Sequence, residues 1–137
     1  MAMAAEILGD RWTLLILREA FYGVRRYDDM RADLDAPRSM LTDRLNKLVA
    51  RGLLARQPYQ EPGSRARDAY VLTDAGRALA LTLLALAQWG EDHVLHGPAP
   101  VQVVDRASGK PLRVALVDEQ GRPADLAAAI LVKRQDR

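Results

Sequence analysis

Pro37-Arg38-Ser39-Met40-Leu41-Thr42-Asp43-Arg44-Leu45-Asn46-Lys47-Leu48-Val49-Ala50-Arg51-Gly52 is the stretch on which the fold turns. Leu41, Leu45 and Leu48 recur at i, i+4 and i+7, the spacing of one face of an α-helix. Ala36-Pro37 breaks the chain ahead of them, and proline suits the first helical turn. Arg51-Gly52 supplies a terminal cation and a glycine, which together close such a helix. On a helical wheel the leucine stripe leaves Ser39, Thr42, Asp43, Asn46 and Ala50 opposite, with Lys47 at that face's edge and Arg38 at the helix start. One face is built for a core and the other for a polar partner.

The flanking segments turn this helix into a motif. Met1–Leu8 reads as a helix, and Asp10 can cap a second one that starts at Arg11-Trp12 and ends at Gly23. Val24–Tyr27 reads as a short extended piece. Asp28–Leu34 reads as a short helix with acids in its first turn, where the macrodipole favours them. Two helices joined by a tight turn, the second polar on its outer face, make a helix-turn-helix pattern. Downstream, Leu53–Gln57 and Ala69–Leu72 read as strands around a Pro62-Gly63 turn, so a hairpin wing follows directly. Thr73 then caps a long helix reaching Val94, apolar at almost every position from Ala78 to Ala87. Such a helix must be buried on several sides. An isologous contact between two copies, through it and the Trp12 helix, would bury it.

The predicted class is therefore α+β, mostly α: a winged helix-turn-helix with a long C-terminal dimerisation helix over residues 1–97. A small β-rich extension follows from 98 to 137. There Val101–Val104 and Leu112–Val117 read as strands of a hairpin. Asp125–Val132 stays open between strand and helix, because alanine favours helix and Ile130-Leu131-Val132 favours strand. No internal repeat is visible.

Composition narrows the function. The 137 residues are 49% hydrophobic and 28% charged, a globular mixture. With no cysteine, disulfides, a thiolate nucleophile, Cys-ligated zinc and thiol redox sensing are excluded. The apolar run near Leu81 falls far short of the ~20 residues that span a bilayer, and no secretory leader is visible. A cytoplasmic protein without a membrane partner is expected. The formal charge is only +2, yet from Arg38 to Arg67 seven bases stand against two acids. Most of them are arginines, which fork onto phosphates and guanines. A basic stretch alone is usually a solvated face; on an element that can enter a groove it is a nucleic-acid footprint.

Gly9-Asp10-Arg11-Trp12-Thr13-Leu14-Leu15-Ile16-Leu17-Arg18 resembles the G-G/D-K/R-W-T-L-x-I-L-R signature of the HxlR-type helix-turn-helix regulators, bacterial winged-helix relatives of the MarR group. Arg25-Arg26-Tyr27 resembles their R-R-F/Y strand, and Leu41-Thr42-Asp43-Arg44-Leu45 their L-T-x-R-L recognition helix. Gly52-Leu53 is similar to the closing G-L, and Tyr70-Val71-Leu72-Thr73-Asp74-Ala75-Gly76 to the Y-x-L-T-x-x-G block. In register these motifs span about residues 6–96. The resemblance implies a sequence-specific transcription regulator binding double-stranded DNA as a homodimer on a pseudo-palindromic operator. Three features depart from the family. Its cysteine ahead of the Gly9 block is missing and the N-terminus is shorter. The wing is about two residues longer than usual. The paired cysteines of some members' zinc-ribbon-like extension are absent too, so no structural zinc is expected.

On this reading Ser39 and Thr42 offer hydroxyls to phosphates or base edges, and Arg38, Arg44 and Lys47 reach phosphates or guanines. Asp43 accepts from a cytosine amino group or orients a neighbouring arginine. Arg44 lies nearer the leucine stripe than Thr42, which keeps a structural role open. Arg65 and Arg67 on the wing are either solvated charges or contacts to the backbone or minor groove. Trp12, Tyr22, Leu86 and Trp89 could form a dimer seam or a pocket for a small apolar or aromatic effector, with core packing the alternative. His93 and His96 lack a third ligand, so neither metal nor cofactor is expected. No G-x-S-x-G or P-loop occurs, so an enzyme is not expected. The rival function is a winged-helix protein-interaction module that has lost DNA binding. The basic excess over Arg38–Arg67 is what such a module has no reason to keep.

Overall fold

Asp10 starts the folded core. In the computed structural model, which describes residues 1–132, its Oδ1 accepts from the Trp12 and Thr13 amides at 3.1 Å each. That satisfies donors which the first turn of a helix otherwise leaves unpaired. The last five positions of the expected 98–137 extension lie outside the described residues. The chain divides into the units Met1–Leu83 and Leu84–Arg137.

The first unit contains α1 (Ala2–Leu8), α2 (Arg11–Phe21), α3 (Tyr27–Leu34) and α4 (Arg38–Ala50). A two-stranded antiparallel ribbon follows, β1 (Leu54–Tyr59) with β2 (Arg67–Leu72), then α5 (Asp74–Arg77) and the start of α6 (Ala80–His93). Its core gathers Ile16 and Leu17 of α2, Met30 of α3, Leu41, Leu45 and Leu48 of α4, and Leu53-Leu54 entering the ribbon. The leucine stripe is thus the inner face of α4, each such burial stabilising by roughly 1.5–3 kcal/mol. Between α3 and α4 the chain turns through Asp35, at φ 47°, a left-handed conformation that aspartate tolerates better than most. The Ala36 amide reaches back to the Arg31 carbonyl at 3.1 Å. At the far end Gly52, at φ 72°, closes α4 while the Leu53 amide bonds the Leu48 carbonyl at 3.0 Å; a Cβ there would be strained.

The ribbon pairs Leu54 with Leu72 through to Tyr59 with Arg67, two residues further toward the tip in each strand than the hydrophobic pattern predicts. β1 is an edge strand, so Pro58 is tolerated. A Glu61-Pro62-Gly63-Ser64 turn, with Ser64 N–H bonded to the Glu61 carbonyl at 3.0 Å, joins the loop. The extended piece before α3 lies beside β2, with the Tyr70 amide donating to the Arg25 carbonyl at 2.8 Å and Arg26 bridged to Ala69. Helix α3 itself starts at Tyr27 rather than Asp28.

The single long helix expected from Thr73 to Val94 is corrected to two. Thr73 does cap, its Oγ1 accepting from the Gly76 amide at 3.1 Å. Gly76 is seated against the Leu53 carbonyl, and the Leu79 amide bonds the Gly76 carbonyl at 3.1 Å. This i→i+3 tightening ends α5 before α6 begins. The chain itself does not bury α6. No α6 residue is buried, and Leu81 and Trp89 are 67% and 58% exposed. The core is closed by α2, α3, α4 and β1, and only Leu79 and Leu83 pack onto it from this region.

In the second unit the expected strands Val101–Val104 and Leu112–Val117 shrink to the single bridges Val104↔Pro111 and Val117↔Pro123. Each bridge contains a proline, which has no N–H to carry a ladder further. The two turns are built alike. The Asp105 amide bonds the Lys110 carbonyl at 2.8 Å, and the Asp118 amide the Arg122 carbonyl at 2.9 Å. Each carboxylate accepts from backbone amides inside its own turn, Asp105 from Ser108 and Asp118 from Gln120 and Arg122. This Val-Asp to Gly-Lys/Arg-Pro repeat is hidden in the sequence because its copies differ by one residue in length. Residues Asp125–Val132 form one 3₁₀ turn, Leu126–Ala128, capped by Asp125. The Gln88 amide group clamps Val114 from both sides, accepting from its N–H at 2.9 Å and donating to its carbonyl at 3.1 Å. Among the described residues no helix is long and apolar enough to cross a membrane.

Candidate nucleic-acid interface

With the leucine stripe inside, α4 turns Arg38, Ser39, Thr42, Asp43 and Lys47 to solvent. Tyr27, at the start of α3, reaches across to this face. Its hydroxyl donates to the Arg38 carbonyl at 3.0 Å and lies 3.2 Å from Thr42 Oγ1. A phenol has one proton to give, so Thr42 is the donor between the two hydroxyls and can turn to another acceptor. Sequence reasoning missed Tyr27 as a member of this face. The Arg25-Arg26-Tyr27 motif marked the position, but no periodicity links it to Thr42.

Charge along α4 is organised in pairs. Lys47 Nζ lies 2.9 Å from Asp43 Oδ2, and Arg44 Nη1 also pairs with Asp43. The bond from Lys47, helped by Arg44, holds the Asp43 carboxyl below its ordinary pKa. The acid is therefore neutralised by its own helix and adds little repulsion toward an anion. The Nε of Arg44 lies 3.1 Å from Asp10 Oδ1 on the inner side, and its side chain is 27% exposed against 64% for Lys47. Burial alone would raise the Asp10 pKa, but the Thr13 hydroxyl and amide together with Arg44 bring it below the usual value. Arg44 is raised in turn by its bond to Asp10. Asn46 accepts from Arg56 of β1, which joins the base of the wing to α4.

On the wing, Arg65 sits exposed in the loop, with no ion pair among the described residues. Arg67 is the first residue of β2, not a loop residue, and its Nη1 lies 2.8 Å from Asp28 Oδ2 on α3. Arg26 pairs with Glu61 and stacks over the Tyr59 ring at 4.7 Å, a cation–π contact that pins the loop. The structure thus groups Arg38, Ser39, Thr42, Asp43 and Lys47 on one face and sets Arg44 at its edge, bridging Asp43 and Asp10. Of the proposed seam or pocket residues, Trp12 packs on the first unit's core. Tyr22 is exposed at the end of α2 beneath Arg18. Leu86 and Trp89 are exposed on α6, with the Trp89 ring 5.8 Å from that of His93.

Comparison with known proteins agrees with this fold. The family described as HxlR-like helix-turn-helix matches residues 7–97. The uncharacterized HTH-type transcriptional regulator MT3179 of Mycobacterium tuberculosis is 45% identical over 97 residues, 71% of this chain. The matched span is 60% of that relative's length. The solved structure of PA1607, a candidate transcription factor, superposes with a TM-score of 0.81 at 33% identity, covering 95% of this chain and 91% of that one. PA1374 from Pseudomonas aeruginosa, also a candidate transcription factor, gives 0.69 at 37% identity over 97% and 90%.

Proposed function

The chain belongs to the HxlR-like helix-turn-helix family, and we propose that it is a transcription regulator that sets α4 in the major groove of double-stranded DNA. The observation that carries this reading is the division of α4 into a fully buried leucine face and an exposed face of hydroxyls and cations. Arg38, Ser39 and Thr42 occupy the N-terminal turns, the part of a recognition helix that reaches base edges. Lys47 meets phosphates further along. Arg65 reaches the backbone from the wing. Arg67 joins it by leaving Asp28, which is easy because an exposed ion pair is worth only about 0–1 kcal/mol.

The test is selection of bound duplexes from a random-sequence pool. On the selected duplex, Thr42→Ala or Arg38→Ala should lose about 1–3 kcal/mol and accept more sequences. Arg65→Ala and Arg67→Ala should weaken selected and random duplexes evenly, each lowering the salt slope by about one per protomer as counterion release falls. An Arg65/Arg67 double variant with unchanged affinity and slope removes the wing from the interface. If no duplex is enriched, the reading fails and a protein-interaction module replaces it.

The regulator acts as a homodimer joined through α6, a reading supported by the exposed Leu81, Leu86 and Trp89. Each protomer then places one α4 in successive major grooves about 34–36 Å apart. Light scattering should give twice the 15.2 kDa chain mass; a monomer at micromolar concentration overturns this.

A further inference from the structure

We propose that Asp10 and Arg44 form a positioning pair that fixes the attitude of α4 against α2, and that Arg44 itself makes no contact with DNA; the inference rests on the DNA-binding reading of α4. The Asp10 carboxylate accepts four hydrogen bonds. Oδ1 accepts from the Trp12 and Thr13 amides and from Arg44 Nε, all at 3.1 Å, and Oδ2 accepts from the Thr13 hydroxyl. Thr13 is itself buried. The carboxylate cannot swing toward solvent without uncapping α2, so whatever it holds is held at a fixed point on that helix. What it holds is the middle of α4.

Packing sets the spacing deeper in, where Ile16 and Leu17 meet the leucine stripe of α4, but leaves an opening at the Asp10 end of α2. Beside the pair lies an open-sided cavity of about 340 Å³, lined by Ile7, Asp10 and Thr13 on one side and Arg44, Lys47 and Leu48 on the other. Across this opening the directed hydrogen bond from Nε, rather than side-chain packing, ties α4 to the start of α2. The second carboxylate, Asp43, takes Nη1, so the guanidinium plane is set at two points. To meet a phosphate Arg44 would have to leave both acids, whereas Lys47, one turn on, is already exposed. A positioning arginine changes which sequences fit because small shifts at the groove misplace every base contact, while the number of phosphates neutralised stays the same.

The experiment uses the full chain, the duplex that wild type selects from a random pool, and a scrambled duplex, each titrated over a range of salt. Asp10→Asn keeps an N-cap acceptor of equal quality and removes the charge that holds Arg44. Arg44→Gln removes the other partner, and Arg44→Lys keeps the charge without the Nε geometry. Positioning predicts that all three bind the selected duplex about tenfold more weakly. Binding to the scrambled duplex and the salt slope should stay as in wild type. The Asp10→Asn/Arg44→Gln double variant should be no worse than either single one, the signature of residues acting as a unit. The proposal is overturned if Arg44→Gln lowers the salt slope by about one per protomer and Arg44→Lys restores it. It is equally overturned if Asp10→Asn tightens binding by freeing the arginine. A wild-type chain that enriches no duplex overturns the DNA-binding reading, and the positioning role with it; a lowered slope in Arg44→Gln overturns the positioning role alone.

Discussion

Leu45→Ala is expected to lose about 2–5 kcal/mol of stability, the range for removing a buried leucine and leaving a cavity. Leu45 is completely buried, at the centre of the stripe that seats α4 on α2 and α3. Domains of this size are stable by only about 5–15 kcal/mol, so the variant should be largely unfolded at mild urea concentrations and should bind no duplex under those conditions. Leu81→Ala is the comparison of equal chemistry. That residue is 67% exposed on α6, and its replacement in the isolated protomer should shift stability by no more than about 0.5 kcal/mol. If two copies join through α6, the Leu81 effect should grow with protein concentration, because association stabilises by mass action. The Leu45 effect should persist at every concentration. Equal losses at both positions in dilute urea titrations would contradict the burial on which the reading of α4 rests.

The contrast between these leucines also marks where sequence reading succeeds. Leu41, Leu45 and Leu48 announce themselves because helical geometry turns spacing into a face. Asp10, Gly52 and Thr73 announce themselves because helix ends leave unpaired groups that few residue types satisfy. Each rule is local, and each is met here within a few residues of chain. The polar contacts that organise the interface are not local. Arg44 finds Asp10 across 34 positions and Arg67 finds Asp28 across 39. No period connects them, and the leucine stripe showed only that Arg44 sits close to the buried side.

Local patterns also mislead where two rules compete. Val101–Val104 and Leu112–Val117 have strand composition, yet Pro111 and Pro123 hold the bridging positions and stop the ladder. The segment from Thr73 to Val94 has helix composition, yet it breaks at Ala78-Leu79, just after the seat of Gly76 against Leu53. The exposure of α6 in the single chain is a different case, since its apolar composition already called for cover by a second copy. Apolar residues say that a helix seeks cover, not that its own chain provides it.

Gly76→Ala is expected to reverse the usual sign of a glycine-to-alanine change in a helix. Alanine ordinarily gains about 0.5–1 kcal/mol there by reducing the freedom of the unfolded chain. A Cβ on Gly76 would lie 2.1 Å from the Leu53 carbonyl oxygen and 3.1 Å from Leu72 Cδ2. The oxygen cannot step aside cheaply, since it accepts from the Thr73 amide at 3.1 Å and lies 3.2 Å from the Thr73 hydroxyl. Those bonds tie α5 to the point where α4 ends and β1 begins. Opening the gap to ordinary contact should therefore give a net loss of up to about 2 kcal/mol, the overpacking range less the propensity gain. Gly90 supplies the opposite case, because a Cβ there meets nothing within 4 Å, and Gly90→Ala should stabilise by about 0.5–1 kcal/mol. Urea unfolding of the two variants beside wild type decides the matter, since the expected shifts in midpoint have opposite signs. The Gly76 change should also loosen the base of the wing and weaken duplex binding, while the Gly90 change leaves the wing untouched. Were Gly76→Ala to raise the midpoint as Gly90→Ala does, the close approach of α5 to Leu53 would be wrong, and with it the reason given for the break before α6.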